Sequence, residues 1–345
     1  MNLFNRAEII DQNFSKHVKN NNLPEGTNEL TISDVSISPS KLISIFESQV
    51  YSRHMDLKAR ELKEKGECFY TIGSSGHESN AVFGNIFPYT DIAFLHYRSG
   101  AFYIERSKQL YNSTPLYDMA LSFTASSEDP ISGGRHKVFG SKRLNIPPQT
   151  STIASHIPKA VGAAFSIDRA CDLDIKEREL DKNSIVICSF GDASVNHASA
   201  LSGFNTARWV KSIGGSIPIV FICEDNGYGI SVPTPKSWIE NTFSNQDSIK
   251  YFHCDGLNLF DTINKTQEVQ EYCRSKRSPV FLHMKTVRLM GHAGSDIESS
   301  YLSMSDIERA EKNDPLLHSA RILINDRILN SDQILDLYEK ARTII

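Results

Sequence analysis

Two short runs carry the side chains best suited to hold a hard cation: Gly191-Asp192-Ala193 and Glu224-Asp225-Asn226-Gly227-Tyr228-Gly229. Magnesium takes oxygen ligands in an octahedron and commonly bridges to phosphate groups. Asp192 offers a carboxylate and Asn226 a carbonyl oxygen. The backbone carbonyl of Tyr228 is near enough in sequence to add a third protein oxygen, and a diphosphate would complete much of the shell. Gly191 and Gly227 allow the backbone to come close to a ligand. Taken singly, each run reads as an ordinary turn, since Asp-Asn-Gly is a standard turn sequence. What sets the pair apart is position. Each run directly follows an apolar stretch, SIVICSF at 184–190 and IPIVFIC at 217–223.

Those apolar stretches read as strands buried on both faces, as in a parallel sheet. A third, PVFLHMKTV, covers 279–287, and a helix of about 197–211 separates the first two. Strands alternating with helices give an α/β fold: a doubly wound, mostly parallel sheet flanked by helices. Neighbouring parallel strands then bring Asp192 and Asn226 to the carboxyl edge of the sheet, the crevice where open α/β folds bind ligands.

The rest of the chain frames that edge. Ser38 is placed as an N-cap and Pro39 as the first residue of a helix that Gly66 ends. Leu42, Phe46 and Val50 mark its buried face. The segment FYTIGSSGHESNAVFG gives a turn followed by a small-residue helix, with His77 as a helix cap. FLHYRSG gives a short strand ending at Tyr97-Arg98. Residues 126–150 form a Gly-, Pro- and Ser-rich loop carrying Arg135 and His136, and loops beyond about 15 residues are usually functional or disordered. SHIPKAVGAAFSIDRA is helical. The polar, asparagine-rich residues 1–38 read as a loosely ordered arm. Residues 39–345 read as one α/β domain. It ends in an amphipathic helical tail from Ser305, with Pro315 opening one segment and Ser331 capping another.

Composition narrows the function classes. Of 345 residues, 40% are hydrophobic and 23% charged, and the net charge of −4 points to neither nucleic acid nor an anionic membrane. No apolar run reaches the roughly 18 residues of a membrane span. The N-terminal segment lacks the apolar core of a secretory signal, and Glu8 and Asp11 argue against a transit peptide. None of the six cysteines is in a Cys-x-x-Cys pair. Cys188 and Cys223 fall in strand-like runs as buried thiols, which suits a reducing, cytoplasmic setting.

The pattern GDA…EDNGYGIS resembles the thiamine diphosphate motif, whose usual form is GDG followed by NN. The wider resemblance is to the alpha subunit of the decarboxylating component of 2-oxo acid dehydrogenases, nearest the branched-chain type. It runs from about Ile37 to the end of the chain. HYRSG, SGGRHKVFGS, QTSTIASHIPKAVGAAF, GDAS, CEDNGYGIS and VRLMGHAGSD match in order. Three departures stand out: Ala193 for the second glycine of GDG, Asp225 for the first asparagine of NN, and a longer spacing in which SIGGS is the insertion. Asp225 adds a negative charge near a diphosphate, so its side chain should point away.

The resemblance implies roles. Asp192 and Asn226 hold Mg2+ through side chains and Tyr228 through its carbonyl, with Gly191, Ala193 and Ser194 beside the thiamine diphosphate. Tyr97 and Arg98 reach its diphosphate; a guanidinium fork suits phosphate. Ser151 and Ile153 contact its aminopyrimidine ring. His292, in GHAGSD, lies beside diphosphate and substrate, where a near-neutral pKa suits proton transfer or anion binding. Arg135 and His136, in the long loop, either line the substrate entrance or are solvated charges. The implied reaction decarboxylates a 2-oxo acid such as 2-oxoisovalerate and passes the acyl group to the lipoyl-bearing acyltransferase component. The glutamate that activates the cofactor belongs to a beta subunit, so the site is completed by that partner, typically in a two-alpha, two-beta tetramer. A pyruvate-type alpha subunit, or a non-catalytic subunit that has lost its cofactor, is the competing reading. A Rossmann enzyme would need G-x-G-x-x-G after the first strand, and the sequence has none.

Overall fold

The computed structural model describes residues 5–68, 72–150 and 152–345. Seven strands are described: β1 (Ile92–Phe94), β2 (Val186–Gly191), β3 (Ile219–Asp225), β4 (Tyr228–Gly229), β5 (Val232–Pro233), β6 (Lys250–Asp255) and β7 (Val280–Lys285). Five form one sheet in the order β1-β2-β3-β7-β6, every neighbouring pair parallel. The remaining two, β4 and β5, make a small antiparallel hairpin just after β3.

The apolar runs become central strands because both faces are covered. Val186, Cys188 and Phe190 of β2 join Ile219, Phe221 and Cys223 of β3 on one face. There they pack against Ile157, Ala160 and Ala164 of the His156–Asp172 helix and Phe204 of the Ala198–Ser212 helix. Ile187, Val220, Ile222 and Leu282 fill the other face, against Phe83, Phe102 and Val269. β2, β3 and β7 and the helices expected near 40–65, 155–170 and 197–211 lie where the sequence pattern puts them. β6 and the Gly100–Ser107, Pro115–Phe123, Trp238–Phe243 and Leu259–Lys276 helices had no sequence expectation. β6 is an edge strand whose burial alternates, so it lacks a continuous apolar run. The Leu259–Lys276 helix is largely polar and is set by Asn258, which accepts from the Phe260 and Asp261 amides at 3.0 and 3.1 Å.

At the front of the domain the Pro39–Glu64 helix begins as expected, with Ser38 Oγ accepting from the Lys41 amide. Gly66 ends it at φ +75°. The short strand expected to reach Tyr97-Arg98 stops at Phe94, and those two residues sit in the turn that follows. In the tail, Asn330 rather than Ser331 caps the last helix, in a reciprocal box with Gln333. No helix among the described residues is long and apolar enough to cross a membrane.

The expected loose arm is not what forms. Arg6–Lys19 is a 14-residue helix that buries Ile10, Phe14 and Val18. Phe14 stacks on Tyr338 of the last helix, ring centroids 4.3 Å apart, and the Tyr338 hydroxyl donates to Asp11 at 2.8 Å. Three apolar residues spaced by four were enough to dock this polar helix on the tail. Among the described residues of that segment, the stretch from Asn20 to Ile37 stays largely irregular, with one short 3-10 turn at Ile32–Asp34. Phe14→Ala removes a fully buried ring, and the expected loss is about 3–5 kcal/mol. Urea unfolding followed by far-UV circular dichroism measures it. A loss under about 1 kcal/mol would mean that the helix contributes little to the domain.

Candidate active site

The register of the sheet sets the site. Gly191 of β2 lies beside Glu224 of β3, so Asp192 and Asn226 each follow the end of one of two paired strands, close enough for the Asp225 charge to act on Asp192. Asp192 is nearly fully buried and accepts a short hydrogen bond from Thr234 Oγ1. Burial, and then the nearby Asp225 charge, push its carboxyl up to about 6. Asn226 Oδ1 accepts from the Tyr228 amide at 3.0 Å, and Gly227 makes the turn at φ +82°. A Cβ on Gly229 would lie 2.7 Å from Ala193 Cβ. The β4–β5 hairpin is therefore pressed against the turn after β2, which gathers Asp192, Ala193, Asn226 and Tyr228 in one place.

Asp225 is accounted for. His283 Nε2 and Lys285 Nζ, both on β7, each lie 2.7 Å from its Oδ2. Its Oδ1 accepts from the Gly227 amide at 2.9 Å. Burial works to raise this carboxyl, but the bonds from His283 and Lys285 overcome it and hold it at about 2. The extra charge is thus neutralised from the neighbouring strand.

His77 does not cap a helix with its side chain. Its ring spans from Glu224 to Asn226: Nδ1 is 2.7 Å from Glu224 Oε2, and Nε2 is 2.9 Å from Asn226 Nδ2. All three side chains come from turn or strand-end positions. Gly76 positions the turn at φ +101°, with no room for a Cβ against the Val287 carbonyl 2.2 Å away. Among the described residues, His77, His96 and Glu224 are the His, Cys and acidic side chains whose ligand atoms cluster within 4.8 Å. The His77–Glu224 distance is that of a hydrogen bond with the proton between them, which is where an ion would have to sit. Burial keeps His96 and His156 uncharged, each lowered to about 4.

A second group lies across the crevice. Arg98 is buried and donates to the Gly73 carbonyl, to His292 Nδ1 at 3.2 Å and to the His292 carbonyl at 3.1 Å. Its guanidinium also sits 5.2 Å from the Tyr97 ring centre, and Tyr97 meets His292 edge-on. Because Arg98 can only donate, His292 Nδ1 accepts and the ring proton is on Nε2. Burial, then the Arg98 and Arg288 charges, lower His292 to about 4. It is therefore a neutral hydrogen-bond donor at pH 7, which corrects the near-neutral pKa expected from sequence.

Arg288, unremarked in the sequence, joins the two groups. It donates to the Ile230 carbonyl at 2.7 Å and to the Tyr301 hydroxyl at 2.6 Å, and lies over the Tyr228 ring. Tyr301 in turn donates to Asp296 at 2.6 Å, and Asp296 also accepts from the His292 amide at 2.6 Å. The hairpin and the GHAGSD loop are thereby braced together.

The other expected residues stand apart from this network. Ile153 is 41% exposed in the turn before the His156–Asp172 helix. Ser151 lies outside the described residues. Ser194 is buried beside Asp192 in the turn after β2. Arg135 and His136 are exposed; Arg135 donates to the Ser132 carbonyl at 3.1 Å and the His136 amide to Ser132 Oγ at 3.0 Å.

With that geometry in place, the comparison with known families is decisive. The family model described as "Dehydrogenase E1 component" matches residues 47–345. The chain belongs to the dehydrogenase E1 component family. Among the relatives of this E1 chain is the Mus musculus protein named 2-oxoisovalerate dehydrogenase subunit alpha, mitochondrial. It is 26% identical over 306 residues, covering 87% of this chain and 64% of the relative. The Bacillus subtilis (strain 168) 2-oxoisovalerate dehydrogenase subunit alpha is 26% identical over 309 residues, 87% of this chain and 86% of its own length. The Rickettsia prowazekii (strain Madrid E) pyruvate dehydrogenase E1 component subunit alpha is 26% identical over 328 residues, 90% and 93% of the two chains. This E1 chain spans under two thirds of the length of its mitochondrial relatives.

Proposed function

We propose that this E1 chain is the alpha subunit of a 2-oxo acid dehydrogenase that binds thiamine diphosphate through Mg2+ and works with a beta subunit. The single observation that carries the reading is Asp192: a buried carboxylate, raised to about 6, at the end of the strand beside the one that delivers Asn226. Such a group favours a bound cation, because a divalent ion offsets the cost of keeping it ionised in a low-dielectric setting.

The residues present fit the cofactor. Asp192, Asn226 and the Tyr228 carbonyl would hold the ion. Arg98 and Tyr97 would face the diphosphate, with Arg288 adding positive charge nearby. His292 would donate its Nε2 proton as a neutral imidazole. Ser151 and Ile153 are proposed for the aminopyrimidine, and Gly191, Ala193 and Ser194 for the cradle around it. Arg135 and His136, exposed on the 126–150 loop, would meet the acidic substrate. When bound, thiamine diphosphate supplies the nucleophilic carbon and electron sink that decarboxylation needs. The protein's part is to hold it, orient the substrate and exclude water.

The beta subunit would contribute the activating carboxylate, and the acyl group would pass to the lipoyl-bearing acyltransferase component. We place the assembly, a two-alpha, two-beta tetramer, in the cytoplasm. Branched-chain 2-oxo acids are the preferred substrates on the strength of the relatives' names, with pyruvate as the alternative that the Rickettsia relative supports.

Calorimetry on the complex co-expressed with its beta partner tests this. Thiamine diphosphate should bind only with Mg2+ present. Arg98→Ala should weaken binding about 10- to 150-fold, the equivalent of one charge-assisted bond of about 1.5–3 kcal/mol. Branched 2-oxo acids should turn over faster than pyruvate. An assembled wild-type complex that binds no thiamine diphosphate with Mg2+ overturns the reading.

A further inference from the structure

We propose that Glu224 and His77 form a positioning pair that locks the Asn226 amide with its oxygen on the metal side of the site. The inference rests on the metal-ligand reading of Asn226.

One group in the chain of contacts has a fixed polarity. The Tyr228 backbone N–H can only donate, and it lies 3.0 Å from the Asn226 amide. The amide atom facing it must therefore be Oδ1. That leaves Nδ2 facing His77 Nε2 at 2.9 Å. An amide nitrogen only donates, so His77 Nε2 must be the acceptor and carry no proton. The ring proton is then on Nδ1, 2.7 Å from Glu224 Oε2, where a carboxylate accepts it. Every polarity in the chain from Tyr228 to Glu224 follows from the first.

The pair is also held from outside. His77 and Glu224 are fully buried, which keeps bulk solvent from their polar atoms. Asn80 Nδ2 adds a weaker contact to the same Glu224 oxygen at 3.3 Å. Gly76, the turn residue before His77, donates its amide to Glu78 at 2.7 Å, which fixes where the ring stands. An unrestrained asparagine amide can rotate by a half-turn and present nitrogen where oxygen is needed. Here the half-turn would set NH2 against the Tyr228 N–H and oxygen against an unprotonated ring nitrogen. Both clashes oppose it. The second lone pair of Oδ1 stays available for an ion. Outer-shell partners of this kind commonly change metal affinity on the order of 10–100-fold.

The test uses the complex co-expressed with its beta partner and Mn2+ as a spectroscopic substitute for Mg2+, titrated by electron paramagnetic resonance with thiamine diphosphate present. His77→Leu, close in size but without polar atoms, should weaken Mn2+ binding on the order of 10–100-fold. His77→Gln should restore it to within roughly threefold, because its amide can give NH2 to Glu224 and oxygen to Asn226. Equal Mn2+ affinity in wild type and a folded His77→Leu overturns the positioning role and leaves the cofactor reading intact. Failure of wild type to bind Mn2+ with thiamine diphosphate sinks both. Should His77→Leu not fold, nitrogen NMR of the unaltered chain decides: a His77 ring protonated at Nδ1 supports the pair, and one protonated at Nε2 overturns it.

Discussion

Replacing Asp192 by asparagine is expected to make the metal-free chain more stable while destroying the Mg2+-dependent binding of thiamine diphosphate proposed above. The carboxyl is raised to about 6 from an ordinary 3.8 by burial and by Asp225. The native state therefore holds the proton more tightly than the unfolded chain. Stability contributed by this group is fully present below about pH 4 and is lost as pH rises through about 6. At pH 7 the ionised group costs on the order of 3 kcal/mol, taking about 1.4 kcal/mol for each of about two pH units. Asparagine removes that cost and keeps an oxygen for Thr234. Melting of the metal-free variant at pH 7.5 should rise by several degrees. The difference from wild type should shrink as pH falls toward 4. The variant loses the ligand charge, so Mg2+ affinity should fall by at least the 10–100-fold typical of lesser changes around a metal. An asparagine variant that melts at or below wild type across this pH range contradicts the assignment.

The second large effect is expected far from the ion. Arg53 is fully buried in the Pro39–Glu64 helix. It donates to Glu78 at 2.7 Å and makes a two-pronged pair with Asp314, both bonds 2.8 Å. Asp314 caps the Pro315–Asn325 helix through the Leu316 amide at 2.9 Å, and Glu78 holds the Gly76 amide in the turn that carries His77. One guanidinium thus ties the tail to the active-site turn. Arg53→Met leaves two carboxylates buried without their cation, which typically costs 3–5 kcal/mol. Denaturant titration should register that loss. Combining Arg53→Met with Glu78→Gln and Asp314→Asn should recover much of it, since the uncompensated charges are then gone. If the single variant unfolds within about 1 kcal/mol of wild type, the triad is not the anchor described here.

Much of the site was legible because its residues sit at strand ends. Asp192 and Asn226 follow unbroken apolar runs, and parallel pairing of those runs forces them together. Tyr97, Arg98 and His292 were legible only by resemblance, since nothing local distinguishes a loop arginine or histidine. The hydrogen bonds that join Arg98 to His292 across 194 residues, and the ring contact of Tyr97 with His292, are tertiary facts. The same holds for His77 and Arg288, whose partners are remote in sequence. The N-terminal helix was misread for a different reason. Its polar composition suggested disorder, yet Ile10, Phe14 and Val18 recur every four residues, and a docking surface on the last helix decided the outcome. The edge strand β6 and the polar Leu259–Lys276 helix lacked the long apolar signal that marks buried elements.

Asp225 and Lys285 face each other across paired strands, register partners whose side chains meet at 2.7 Å. That geometry turns a substitution into a rule of inheritance. A chain that acquires an acid at position 225 without a base at 285 would place a second uncompensated negative charge beside Asp192. The two positions should therefore change together across descendants of this lineage, acid with base and neutral with neutral. Where they are found uncoupled, this edge of the sheet has been rebuilt by other means.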